Sequence, residues 1–460
     1  MVSLVSTGMK LEFITCLPLI WFYNHIKSSS GSLRIVPSIS IITWSCIIAL
    51  SGLLYPTQVD AGEQGLINYS YNDSNSHTLP QIVVFDLPSK QAINDNKNPL
   101  LQGTIKQLLA QADFYLTENA SSVMDKNQIP PSGDKHDFLS QSPYYWPVAT
   151  KRDDTRYIYR DGKFNPEIYS IPDRRNMEMM IERVKTLSVA YYFTDNTLYA
   201  SKATEILRVW FLNNNTRMNP NLQYAEAIPG KYYGSHSGII VARDFPDLIY
   251  SIVLMQDSSP WTKQDQRGIE LWFGKYLEWL LNSDFGKKES KRLNNHGTWY
   301  DVQAASIALF LNKTEVTRDI LKNNLDRLIA AKIEPDGRQR FELYRTNSLD
   351  YHIFNLLAFF NLAKIADNIG IDLWNYETPL GSGLQKALDY LLPYALGKET
   401  WPHEQFKPIN TDRLLNLLCQ ATIHYEGNKS YEQAYSSIGR PGLIKETNDL
   451  IYGCYNRVFT

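Results

Sequence analysis

Residues Lys291 to Gln303 read KRLNNHGTWYDVQ. Two amides and an imidazole stand directly before apolar residues at helical spacing (Trp299, Val302, Ala305, Ile307, Leu309), which predicts a helix with a polar entrance. Asn at a helix start also serves as a cap for orphan N–H groups, with the histidine then a surface residue. A second entrance shifts the weight. Gln339 to Phe354, QRFELYRTNSLDYHIF, places Arg345 and Tyr351 around a polar segment that leads into another apolar helix. An amide pair, a histidine, an arginine and a tyrosine together suit proton removal from a carbon next to a carboxylate.

From these two helices the same periodicity spreads over most of the chain. Helices are expected over 98–115, 177–193, 198–211, 239–255, 265–281, 299–311, 316–331, 349–369, 384–396 and 411–424, all with apolar residues at i, i+3 and i+4. Alternation of the strand type is scarce, and Ile82 to Leu87 is either one short strand or an apolar lead-in. Turn residues separate helices of similar length, so neighbours should pair as antiparallel hairpins. The fold class is therefore read as all-α, with the hairpins in a ring or curved array; no strict repeat is visible, and a two-layer bundle stays open.

Three polar stretches interrupt the helices. Ser140 to Glu167 is irregular, aromatic and rich in Pro, Asp and Gly, too long for a plain connection. Tyr144, Tyr145 and Trp146 stand there between prolines, placed either to stack on sugar faces or to plug a helix layer. Arg217 to Asp244 is the second loop, with Asp244 read as a partner for Arg243 or a helix-start carboxylate. The entrance at Lys291 is the third, so one rim of the array should carry the site.

The chain has 460 residues, 43% of them hydrophobic and 20% charged, with a formal net charge of -2. That balance excludes a generally basic nucleic-acid binder, so any polyanionic partner must meet a local cationic cleft. Residues 1–60 are read as a leader, signal peptide or membrane anchor, because 11–23 and 35–55 are apolar runs and the second follows Lys27 and Arg34. A polar linker over 61–80 and a catalytic domain over 81–460 follow. The catalytic part is then secreted or extracellular, anchored to a membrane only if 35–55 is retained. Glycosylation sequons at Asn68, Asn72, Asn119, Asn214, Asn312 and Asn428 agree weakly with export. Cys16 and Cys46 fall in the leader, leaving Cys419 and Cys454 able to pair.

The blocks PYYWP with YIYRDGKFNPE, RMNPNLQYAEAIPG, NNHGTWYDVQ and EPDGRQRFELYRTNSLDYHIFNL resemble, in that order, those of the alginate lyase superfamily of polysaccharide lyases. The resemblance covers about 140–396. It implies an incomplete α/α toroid that cleaves an acidic polysaccharide, a polyuronate, by β-elimination without metal or cofactor; the chain is separately expected to be a monomer. Position by position it places the catalytic amide at Asn295, the imidazole at His296, the arginine at Arg345 and the tyrosine at Tyr351. Substrate-binding positions fall on Tyr145, Trp146, Asn219, Tyr224, Arg243 and Asn294. Ser235-His236 and Arg340-Phe341 depart from the family pattern, which bears on substrate choice more than on chemistry.

Removing the C5 proton of a uronate builds an enolate-like dianion, and donors preorganised around its carboxylate act chiefly in the transition state. Asn295, His296 and Arg345 are the expected donors. Tyr351 is the expected base, its phenol made more acidic by nearby cations; His296 is the rival base, with Tyr351 then only the acid. In β-linked mannuronate or glucuronate the C5 hydrogen and the 4-oxygen share a face, so one tyrosine can serve both steps. The readings kept beside this one are a non-catalytic carbohydrate-binding scaffold and a glycoside hydrolase using two of Asp301, Glu342 and Asp350.

Overall fold

A helix that is apolar all round belongs inside a protein, and two segments meet that description. The structure, a computed structural model, describes residues 87–91, 99–149, 155–322 and 325–438. In chain order the helices are α1 (Pro99–Thr117), α2 (Asp173–Thr194), α3 (Thr197–Leu207), α4 (Phe245–Met255), α5 (Lys263–Asn282), α6 (Asp284–Glu289), α7 (Asn295–Phe310), α8 (Thr314–Lys322), α9 (Arg340–Leu343), α10 (Ser348–Asp367), α11 (Leu384–Ala395), α12 (Thr411–His424) and α13 (Lys429–Ile438). Every residue of α7 except His296 is buried. Helix α10 is nearly as enclosed, but Asp350, Tyr351 and Phe354 in its first turns stay partly open.

These two helices lie against each other, and the rest is arranged around them. Helix α7 also contacts α4, α5 and α8, while α10 contacts α11 and α12. Helix α2 packs on α1, α3 and α4. The described residues belong to one compact unit with a continuous apolar core. The polar ends that begin α7 and α10 are thereby held by buried, rigid elements.

The chain is mostly helical, and expected and observed helices agree closely, with three instructive breaks. The expected helix over 239–255 divides into a 3-10 segment His236–Ala242 and α4. Pro246 at the start of α4 explains the division, since it lacks an N–H and disfavours helical backbone before it. The helix expected over 198–211 ends as α3 and continues into a wider turn, Arg208–Leu212, where the Asn213 N–H reaches the Arg208 carbonyl. The one expected over 316–331 likewise divides into α8 and a wide turn Asp326–Ala330.

Strands occur where the sequence looked irregular. In 140–167 an antiparallel hairpin pairs β2 (Tyr145–Ala149) with β3 (Thr155–Tyr159). Pro147 hid it, although a two-stranded sheet consists only of edges, where proline is tolerated. A second small sheet pairs β1 (Leu139–Gln141) in parallel with β4 (Tyr224–Ala227). It rests on α2, where the buried Asp173 accepts from the Leu139 N–H at 2.9 Å and pairs with the buried Lys126 at 2.8 Å.

The expected leader and linker, and the strand or lead-in at 82–87 apart from Leu87, lie outside the described residues. Among those described, no helix is long and apolar enough to cross a membrane. Cys419 is buried and disulfide-bonded, and Cys454 lies outside the described residues.

Candidate active site

The starts of α7 and α10 open on one cleft of about 770 Å³. Tyr351, Arg345, Asn295 and His296 all line it, together with Asn294, Arg243 and Tyr145. Residues separated by 55 positions in sequence thus share one cavity because the two core helices that carry them begin at the same place.

Tyr351 sits in the first turn of α10 with its hydroxyl between two partners. Arg345 Nη2 donates to it at 2.6 Å, and the Tyr144 hydroxyl lies at 2.9 Å. The Arg345 guanidinium also lies over the Tyr351 ring, 3.7 Å from its centroid. Burial and the neighbouring Tyr144 push the Tyr351 phenol well above its ordinary value, and Arg345 only partly opposes this. The expectation that nearby cations would make the phenol more acidic is therefore not met in this geometry. Burial is the larger cause, and Asp161, which accepts from Arg345 Nε at 3.1 Å and from Nη2 at 2.7 Å, adds a smaller push in the same direction.

Asp161 stands just after β3 and also accepts from the Thr346 N–H at 2.9 Å, which ties the hairpin to the entrance of α10. Burial opposes its ionisation, yet the Arg345 and Thr346 hydrogen bonds hold its carboxyl well below the usual range. Gly162 follows with φ of 67°, and a Cβ there would come within 2.8 Å of Thr346 Oγ1 and Asn347 Nδ2. The turn therefore needs glycine both for its backbone and for this close approach.

At the start of α7, His296 Nδ1 lies 2.7 Å from Glu289 Oε1, and His236 Nδ1 lies 2.6 Å from Oε2 of the same carboxylate. Burial pushes the Glu289 carboxyl up, but the charge of His296 and the hydrogen bonds from both imidazoles outweigh this and hold it at about 2. Glu289 is thus an acceptor and Nδ1 of His296 a donor, and Nε2 is the ring nitrogen that Glu289 does not engage. Gly297 lets this turn approach the Arg292 carbonyl, which a Cβ would meet at 2.0 Å.

Because the Glu289 carboxyl is held below its ordinary value of 4.5, its contribution to stability is present above that pH and fades as the pH falls towards about 2. Glu289→Gln should therefore unfold at lower urea than the parent at neutral pH, with the gap closing across that acid window. A gap that is constant with pH would show that the carboxylate charge contributes nothing.

Asn295 does not act as a side-chain cap. Its backbone N–H and its Nδ2 both donate to Glu342, the latter at 2.7 Å, and its Oδ1 is buried without a partner among the described residues. Burial pushes the Glu342 carboxyl up, against these two hydrogen bonds. Glu342 is thus a buried anchor for the amide. Asp301 is likewise committed, to Arg327 at 2.8 Å and 2.9 Å, and Asp350 accepts from the Asn410 N–H at 2.7 Å. The three acids considered for hydrolysis are therefore all occupied in holding other groups.

The remaining positions divide. Arg243 pairs with Asp244 at 3.2 Å on the cleft wall. Trp146, Asn219 and Tyr224 are not among the lining residues. Trp146 Nε1 donates to the Lys163 carbonyl at 2.8 Å, and Asn219 Nδ2 donates to Asp134 and Asp137 at 2.9 Å and 2.8 Å. Strand alternation accounts for Trp146: its neighbour Tyr145 takes the face towards the cleft. Seven lining residues are Arg or Lys and three are Asp or Glu, an excess of positive charge in a chain of net charge -2. Among the described residues no group of three or more His, Cys, Asp or Glu is arranged to hold a metal ion.

A family profile described as alginate lyase matches residues 122–401, more than half of the chain. The crystal structure of an alginate lyase from Bacteroides ovatus is 34% identical, with a TM-score of 0.76, covering 81% of this chain and 99% of that one. Alginate lyase A1-III from Sphingomonas species A1 is a more distant likeness, 16% identical at a TM-score of 0.45, covering 77% of this chain and 93% of that one. No curated protein matches the chain. With more than half of its length matched, and a third of its residues shared with a solved member over nearly all of that member, the chain belongs to the alginate lyase family and is a polysaccharide lyase.

Proposed function

We propose that the cleft binds a β-1,4-linked polyuronate, a mannuronate-rich alginate or a glucuronan, and cleaves it by metal-independent β-elimination. The observation that carries this reading is the Tyr351 hydroxyl, held 2.6 Å from a guanidinium in the same cleft as Asn295 and His296. The excess of lining cations suits a polyanion, and the N-termini of α7 and α10 add positive dipole ends at the same place. We further propose that the helical hairpins form an incomplete α/α toroid, and that the catalytic chain is exported.

In the proposed reaction Tyr351 takes the C5 proton and returns it to the leaving 4-oxygen on the same face of the sugar. Arg345 and Tyr144 both donate to the transient phenolate. Asn295 and His296 face the substrate carboxylate, and the unpartnered Oδ1 of Asn295 can accept from a sugar hydroxyl or a protonated acid. Leaving such an oxygen buried and unpaired costs about 1–3 kcal/mol, which a bound ligand offsets.

One observation favours a second assignment within the same reaction. Burial keeps the Tyr351 phenol protonated, which suits it to act as acid from the outset. His296 Nε2, its other nitrogen fixed by Glu289, is then the base.

Incubation with polymannuronate and with glucuronan should give ultraviolet-absorbing unsaturated ends, and product masses should show no added water. Absence of such ends from both polymers would remove the reading, and saturated reducing ends would replace it with hydrolysis.

A further inference from the structure

The cleft holds a guanidinium that neither the proposed catalytic group nor any internal pairing explains. Arg413 is in the first turn of α12, beyond the segment matched by the family profile. It is partly buried and lines the cleft, with its Cζ 4.7 Å from the centre of the Phe354 ring. Among the described residues no carboxylate lies within ion-pair distance of it. Three features make this place adverse for a cation: the positive end of the α12 dipole, partial removal from water, and the nearby Arg243. Burial and Arg243 lower its pKa, with Asp350 and Asp244 compensating only in part.

The position is nonetheless held firmly. Asn410 caps α12, accepting from the Arg413 N–H at 3.0 Å, and its own N–H is held by Asp350. Asp350 is the neighbour of Tyr351, so the scaffold that places the tyrosine also places Arg413. Phe354, on which the guanidinium rests, lies one turn beyond Tyr351 on the same face of α10. The rise between them is about 4.5 Å along the axis.

We infer that Arg413, with Arg243 beside it, forms a second carboxylate site, which receives the acid group of the uronate next to the one being cleaved. An arginine kept unpaired against local repulsion is stabilised when a carboxylate arrives, and its planar fork suits bidentate contact. The site also selects for polymers carrying acid groups on successive sugars. This inference deepens the polyuronate reading and rests on it.

A mannuronate tetramer is the probe. Arg413→Gln should raise KM about tenfold while kcat falls far less, from the usual worth of a charged hydrogen bond. Arg413→Lys should recover part of the loss. Titration of the tetramer into Tyr351→Phe and into Tyr351→Phe with Arg413→Gln should give the same ratio in Kd. Without ligand, Arg413→Gln should melt no lower than the parent, because repulsion is relieved. Unchanged KM and Kd would overturn the second site, as would a lower Tm with kcat and KM impaired together. A parent enzyme that cleaves no polyuronate removes both this inference and the reading beneath it, whereas a parent that cleaves with Arg413 indifferent removes only the inference.

Discussion

Tyr351→Phe is expected to lower turnover by about 100-fold or more while substrate binding is largely kept, the usual size of an acid/base contribution. The substitution removes one oxygen and leaves the ring on which Arg345 rests at 3.7 Å. The shape and charge of the cleft therefore survive. What is lost is the atom that both Arg345 Nη2 and the Tyr144 hydroxyl approach. Turnover is read from ultraviolet absorbance and affinity from calorimetry, and a Phe variant with near-normal turnover would remove the tyrosine from the chemistry. The pH dependence of kcat/KM in the parent then separates the two assignments. A phenolate base gives a rate that keeps rising into the alkaline range, since burial holds the phenol above its ordinary value. An imidazole base gives no such alkaline rise.

The helices were legible in the sequence because their apolar spacing extends over many residues. The two site helices were legible for the same reason, together with the polar residues at their starts. Glu289 and Asp161 were not legible, because each acts through partners that only the fold brings together. Glu289 lies seven residues before His296, in a charged run KKES that reads as solvated surface. Its second partner, His236, comes from a loop 53 residues away. Asp161 precedes a glycine and reads as an ordinary turn, although its main partner, Arg345, is 184 residues distant. Trp146 shows the reverse failure. A tryptophan between prolines resembles a sugar platform, but strand alternation, invisible while the hairpin went unread, turned Tyr145 to the cleft instead.

Asp161→Ala is the second large effect, and it tests whether Arg345 is positioned by the hairpin. The carboxylate receives three side-chain contacts from Arg345, two hydrogen bonds from Thr346 and one from the Tyr159 hydroxyl. Removing one member of a buried pair leaves the other charge uncompensated, at a cost of about 3–5 kcal/mol. Here both partners are only about one-sixth exposed, Arg345 at 16% and Asp161 at 15%, so the lower end of that range applies. The sign with pH follows from the depressed carboxyl. Its contribution is present above the ordinary carboxylate value near 3.8 and is lost as the pH falls towards its lower folded value. Urea unfolding should therefore show parent and variant converging in acid. Turnover should fall about tenfold or more, because a guanidinium free to rotate no longer presents Nη2 to the Tyr351 oxygen. Asp161→Asn keeps an acceptor for the Thr346 N–H and should recover part of the stability but little of the turnover. Normal turnover in both variants would mean that α10 alone holds Arg345 and that the hairpin serves only as a wall of the cleft.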